Sequence, residues 1–113
     1  MERFGARVRQ RRQECRLGLR DTARRAGISA TFLSRVETDA EKALPSEEVI
    51  RKLAEILDDD FDTLMRLAGR IPSEVKDYVK ADPGMPAFLR RAKAENIPAE
   101  KLMALLDKAK DKT

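Results

Sequence analysis

Apolar residues along the chain recur every three to four positions in short blocks separated by polar breaks, the period of helices with one buried face. Phe4, Val8 and Cys15 mark the inner side of a first predicted helix over 2–16, with Arg7, Arg9, Arg11 and Arg16 on its outside. Leu17-Gly18 breaks it. A second helix over 19–26 points Leu19, Ala23 and Ala26 inward. Gly27 follows, where a tight turn needs a positive φ without a Cβ. Ser29 is a natural N-cap for a third helix over 30–37, whose Phe32, Leu33 and Val36 face a core. Ile28 and Leu33 straddle that cap at the spacing of a hydrophobic staple.

A polar loop over 38–44 leads to Ser46, which caps a fourth helix, and Glu47 and Glu48 suit the positive end of its dipole. Val49, Ile50, Leu53, Ala54, Ile56 and Leu57 make that helix apolar on one side. Asp58-Asp59-Asp60 interrupts, and Asp60 caps a fifth helix carrying Phe61, Leu64, Met65 and Ala68, ended by Gly69. Residues 1–69 are therefore expected to form one five-helix domain, and 70–113 a helical extension. In the extension, Pro72 suits a first helical position before Val75, Tyr78 and Val79. Asp82-Pro83-Gly84 signals a turn. Met85, Phe88, Leu89 and Ala92 stripe a helix that stops near Asn96. Pro98 opens a last helix with Leu102, Met103, Leu105, Leu106 and Ala109. These three amphipathic helices need a surface to bury against, either the five-helix unit or a second copy.

Composition narrows the class. With 42% apolar and 39% charged residues, the 113-residue chain supports a small core under a heavily solvated surface. Aromatic residues are only 4%, which disfavours strands and predicts an all-α fold. The lone Cys15 has no internal disulfide partner and fits a reducing compartment. No apolar run approaches the roughly 20 residues of a membrane span, and the first residues lack a signal-peptide core. A cytoplasmic protein with no membrane partner is the expectation. The chain has no His, and one Cys makes no metal-site pattern. Asp58-Asp59-Asp60 reads as a capping stretch. No enzyme activity, metal or cofactor is expected.

The net charge of +4 is unevenly spread: residues 1–36 hold ten Arg against three acids, and residues 37–113 hold fourteen basic against seventeen acidic residues. A basic end on an acidic chain suggests a surface facing a polyanion, with a merely solvated Arg-rich helix as the alternative. Residues 21–37 supply a specific reason. Two short helices set steeply across a turn can lay the second into the major groove of DNA.

Residues 4–69 resemble the helix-turn-helix domain of the phage Cro and repressor type. The resemblance rests on Phe4-x-x-x-Val8-x-x-x-Arg12, Ala23-x-x-x-Gly27-Ile28-Ser29, Phe32-Leu33-Ser34-Arg35-Val36-Glu37, and Pro45-Ser46 followed by Ile50-x-x-Leu53-Ala54-x-x-Leu57. It implies a five-helix, lambda-repressor-like DNA-binding domain with a short C-terminal helical extension. By that pattern Arg12 and Glu37 form a structural ion pair. The base-reading positions fall on Ala30, Thr31, Ser34 and Arg35, with Arg35 able to grip guanine bidentately. Phosphate contacts fall on Leu19 and Arg20 at the start of the second helix, on Ser29, and on Thr38 and Lys42 after the third. Asp39 and Glu41 oppose the charge of Lys42.

Two departures from the pattern stand out. Gly18 and Leu19 occupy positions where the family usually has Ser or Thr and then often Gln. Thr22 fills a usually leucine-like core position, costly unless its hydroxyl bonds back to the preceding turn. The implied function is a transcriptional regulator, a repressor in the first instance. It would bind a pseudo-palindromic double-stranded operator as a homodimer. The resemblance ends at residue 69, and residues 70–113, which it does not cover, are read separately as a dimerisation or dimer-stabilising appendage. The alternative is a protein-interaction adaptor or antitoxin-like regulator whose last helices dock a partner protein. RNA binding is a third, minor reading, since an aromatic stacking platform is lacking.

Overall fold

Local signals set the helix starts. Ser29, Ser46 and Asp60 each accept a hydrogen bond from the backbone N–H three residues on, those of Phe32, Val49 and Thr63, which satisfies one orphan donor at each helix start. The computed structural model describes residues 2–111. These form α1 (Phe4–Glu14), α2 (Leu19–Ala26), α3 (Ala30–Glu37), α4 (Glu47–Ile56), α5 (Phe61–Leu67), α6 (Ser73–Ala81), α7 (Gly84–Ala94) and α8 (Ala99–Asp111). The fold is all-α, with no strand among the described residues.

Helix ends share one device. After each of α1, α2, α3, α4, α5 and α7 a residue takes positive φ: Arg16, Gly27, Asp39, Asp58, Gly69 and Asn96. The next N–H then bonds back five residues, as in Leu17 N–H to the Arg12 carbonyl and Ile28 N–H to that of Ala23. This corrects one sequence expectation. Arg16 closes α1, while Gly18 adopts extended backbone and stands as the N-cap of α2. Helix α1 is also shorter than the pattern predicts, and Pro72 and Pro98 each precede the first helical residue instead of occupying it.

The chain divides between Pro72 and Ser73 into two compact units. In the first, α1 and α2 pack on α3, α2 packs on α4, and α4 on α5. Val8, Leu33, Ile50, Leu53, Leu57 and Leu64 are fully buried at its centre. Gly5 lies where α1 crosses the end of α3, and a Cβ there would collide with the Val36 carbonyl oxygen. In the second unit α6 packs against α7, and Ala92 alone among its described apolar residues is buried.

Helix α1 is tied down by arginines that the sequence pattern placed outside. Arg7 Nε and Nη2 each donate to an Asp59 carboxylate oxygen at 2.8 Å. Arg11 Nη2 donates to the carbonyls of Leu57 and Asp58 at 2.9 and 3.0 Å. Both side chains thus fold onto the α4–α5 turn. The hydrogen bonds from Arg7 hold the Asp59 carboxyl below its usual range, and those from Thr63 do the same for Asp60.

Candidate nucleic-acid interface

Helix α3 is held from three sides. Leu33 and Val36 are buried in the core, and Ile28 and Phe32 pack against it. At its C-terminal end, Arg12 Nε and Nη2 grip the Glu37 carboxylate at 2.8 and 2.9 Å, while Nη1 donates to the Leu17 carbonyl at 2.9 Å. One guanidinium therefore fixes α1, the α1–α2 turn and α3 together. The planar fork of arginine matches two carboxylate oxygens, which sets an angle as well as a distance. Glu37 raises the Arg12 pKa above its ordinary value through that bond.

The turn between α2 and α3 owes its shape to Gly27, at φ 74°. Ala23 and Ala26 let the two helices approach, each with almost no exposed surface. Thr22 is wholly buried, and its hydroxyl donates to the Gly18 carbonyl at 2.9 Å. The polar atom in the core is therefore satisfied. With Gly18 as N-cap, α2 begins without a side-chain cap.

Outward from this scaffold, Ala30, Thr31, Ser34 and Arg35 line one shallow concavity together with Leu19 and Arg20. Six of the residues singled out in the sequence thus meet on one surface. Thr31 and Arg20 are exposed. Leu19 packs its side chain against the core, so it offers the outside its backbone N–H. Ser29 spends its oxygen on the Phe32 N–H at 3.0 Å. The Thr38 hydroxyl donates to the Ser34 carbonyl at 3.0 Å, and Lys42 stands exposed on the following loop.

Charge is less available than the arginine count suggests. Arg3 pairs with Asp39, Arg24 and Arg25 with Asp21, and Arg35 with Glu41. Arg7, Arg11 and Arg12 are engaged as described above. Among the first ten arginines, Arg9, Arg16 and Arg20 make no ion pair with a described residue. The two loop acids that opposed Lys42 are each neutralised by an arginine. Sequence reasoning missed Asp59, Gly5 and Glu41. A run of three aspartates gives no sign of which one turns inward. The i, i+4 placement of Arg7 and Arg11 beside Phe4 and Val8 was the available signal for the α1 clamp.

No described group of His, Cys, Asp and Glu could hold a metal ion, and no described helix is long and apolar enough to cross a membrane.

Residues 3–74 match the helix-turn-helix domain family. The HTH-type transcriptional repressor RghR of Bacillus subtilis (strain 168) is 34% identical over 110 residues, covering 97% of this chain and 78% of that protein. From the same organism, the uncharacterized HTH-type transcriptional regulator RghRB is 31% identical over 80 residues, 68% of this chain and 57% of that protein. Among solved structures, a chain of the SinR protein/SinI protein complex shares the fold, with a TM-score of 0.51, 23% identity and 96% of both chains covered. The chain belongs to the helix-turn-helix family, and is a DNA-binding transcriptional regulator, not an enzyme.

Proposed function

We propose that this regulator represses transcription by binding a pseudo-palindromic operator as a homodimer, with α3 in the major groove. The observation that carries the reading is the meeting of Ala30, Thr31, Ser34 and Arg35 on one face beside Leu19 and Arg20. A locked α3 presents those side chains at fixed positions, as base readout requires. Arg35 is assigned to guanine, Thr31 and Ser34 to base edges, and Ala30 to a thymine methyl. The N–H groups opening α2, with Arg20, Ser29 and Lys42, are assigned to phosphates, and Thr38 joins them by turning its hydroxyl from the Ser34 carbonyl. One such module reads only a few base pairs, so two copies with recognition helices about 34 Å apart suit an operator of two half-sites.

The repressor RghR, similar over nearly the whole chain, supports the direction of regulation. The test is a mobility shift on the DNA upstream of the protein's own gene, repeated across a salt titration. Affinity should fall steeply as salt rises, and Arg35→Ala should remove sequence preference. No shift at low salt sinks the proposal.

Residues 70–113 are proposed to stabilise the dimer, because Phe88, Met103, Leu105 and Leu106 line an open apolar groove of about 510 Å³ between α7 and α8. The second reading, docking of a partner protein, draws on the same groove. Leu105→Glu distinguishes them: loss of the dimer with weakened operator binding supports dimerisation, and an intact DNA-bound dimer favours a partner.

A further inference from the structure

Arg35 is clasped by the loop that follows α3. Its carbonyl accepts from the Ala40 N–H at 2.8 Å and the Glu41 N–H at 3.2 Å. Its side chain then returns to the same two residues. Nε donates to Glu41 Oε2 at 3.1 Å, and Nη2 donates to the Ala40 carbonyl at 3.1 Å. The Arg35 side chain is 52% exposed and that of Glu41 only 24%, so the carboxylate is the anchored member of the pair.

A guanidinium has two double-pronged edges. The side edge presents Nε–H with one Nη2–H, and the end edge presents one N–H from each Nη atom. The loop engages Nε and Nη2, the two nitrogens of the side edge of Arg35, and Nη1 is bonded to no described residue. Guanine offers O6 and N7 as two acceptors side by side in the major groove, which one free edge can satisfy. While clasped, Arg35 still lines the concavity with Thr31 and Ser34.

We infer that Glu41 is the positioning residue for base readout: it holds the side edge of Arg35 so that the end edge meets a guanine. This deepens the operator-binding proposal and rests on the assignment of Arg35 to a base. A long, freely rotating arginine would meet phosphates as readily as bases and read nothing. Holding one edge removes that freedom before the encounter. The cost is a negative charge brought close to DNA, so Glu41 should have opposite effects on affinity and on discrimination.

The experiment selects bound DNA from a pool of duplexes with a randomised centre, using the full chain, and sequences the bound fraction. Wild type should prefer guanine at one position per half-site, and Arg35→Ala should abolish that preference. Glu41→Ala should weaken it about tenfold at that position alone, while binding to unselected duplex stays equal or tightens. Glu41→Gln keeps an acceptor for Nε without the charge and should fall between. Melting temperatures of the variants should match wild type, as expected for a loop contact. An unchanged or sharpened guanine preference in Glu41→Ala overturns the inference, as does an equal loss at every position with lowered melting temperature. If Arg35→Ala leaves all preferences intact, the assignment of Arg35 to a base has failed. If Arg35→Ala abolishes the preference and both Glu41 variants are silent, only the positioning role has failed.

Discussion

The two units of this chain carry the same kind of hydrophobic pattern and do different things with it. In the N-terminal unit the stripes of five helices converge, and Leu33, Leu53 and Leu64 lose all contact with water. In the C-terminal unit Phe88 remains 50% exposed and Leu106 62% exposed. Helical spacing of apolar residues shows that a face will be buried, not what will bury it. Three short helices alone enclose too little volume for a dry core, and segments of roughly 40 residues usually complete theirs by association or a cross-link. The first unit closes its own core. The second leaves large apolar side chains open to solvent.

The largest effects should come from the finished core. Leu53→Ala should cost about 3 kcal/mol in denaturant unfolding, from lost transfer energy and the cavity left behind. The same truncation at Leu106 should move the midpoint of the isolated chain by less than about 0.5 kcal/mol. Equal costs would erase the contrast between the units.

Glu37→Ala should come close behind, at about 3 kcal/mol, because it strands the Arg12 guanidinium in a mostly buried site. The loss should also loosen α3, which operator affinity would register separately from stability. A variant as stable as wild type would show that packing alone sets the helix angle.

A smaller effect is expected for Asp59→Asn, about 2 kcal/mol at neutral pH. The folded-state carboxyl sits below its unfolded value because Arg7 binds it. Its stabilisation is therefore present above about pH 4 and is lost as pH falls through the folded value. Wild type and Asp59→Asn should differ most at neutral pH and converge on acidification; a gap that persists at low pH would assign the effect to packing.

The smallest expected change sharpens the comparison by sign. Arg16 closes α1 at φ 56°, a conformation that costs a side chain about 1 kcal/mol and glycine nothing. Arg16→Gly should raise stability by up to that amount in the same unfolding titration. Destabilisation would mean that the Arg16 side chain makes a contribution outweighing its backbone strain.

Much of the fold was legible because its determinants are local. Ser29, Ser46 and Asp60 each cap a helix by accepting from the backbone N–H three residues on, and Gly27 takes the left-handed conformation that the turn needs. These depend on a few neighbouring residues and are written in order along the chain. The residues lining the concavity were legible for the same reason, since four of its six lie on a single helix.

What the sequence by itself determined about residues 21–37 is a pair of capped helices, their turn, and the side chains that α3 turns outward. Only the tertiary structure decided which charges remain for a polyanion to meet. Arg7 finds Asp59 across 52 residues of chain and Arg12 finds Glu37 across 25, and a count of arginines cannot separate those clamps from free charge. Nor does a glycine in a helix announce, as Gly5 does, that another helix's carbonyl rests against it. Arg35 is the nearest case, clasped by a loop residue six positions on. The physical reason is common to all of them: a side chain's role is fixed by the groups it meets, and the meeting is made by the packed fold.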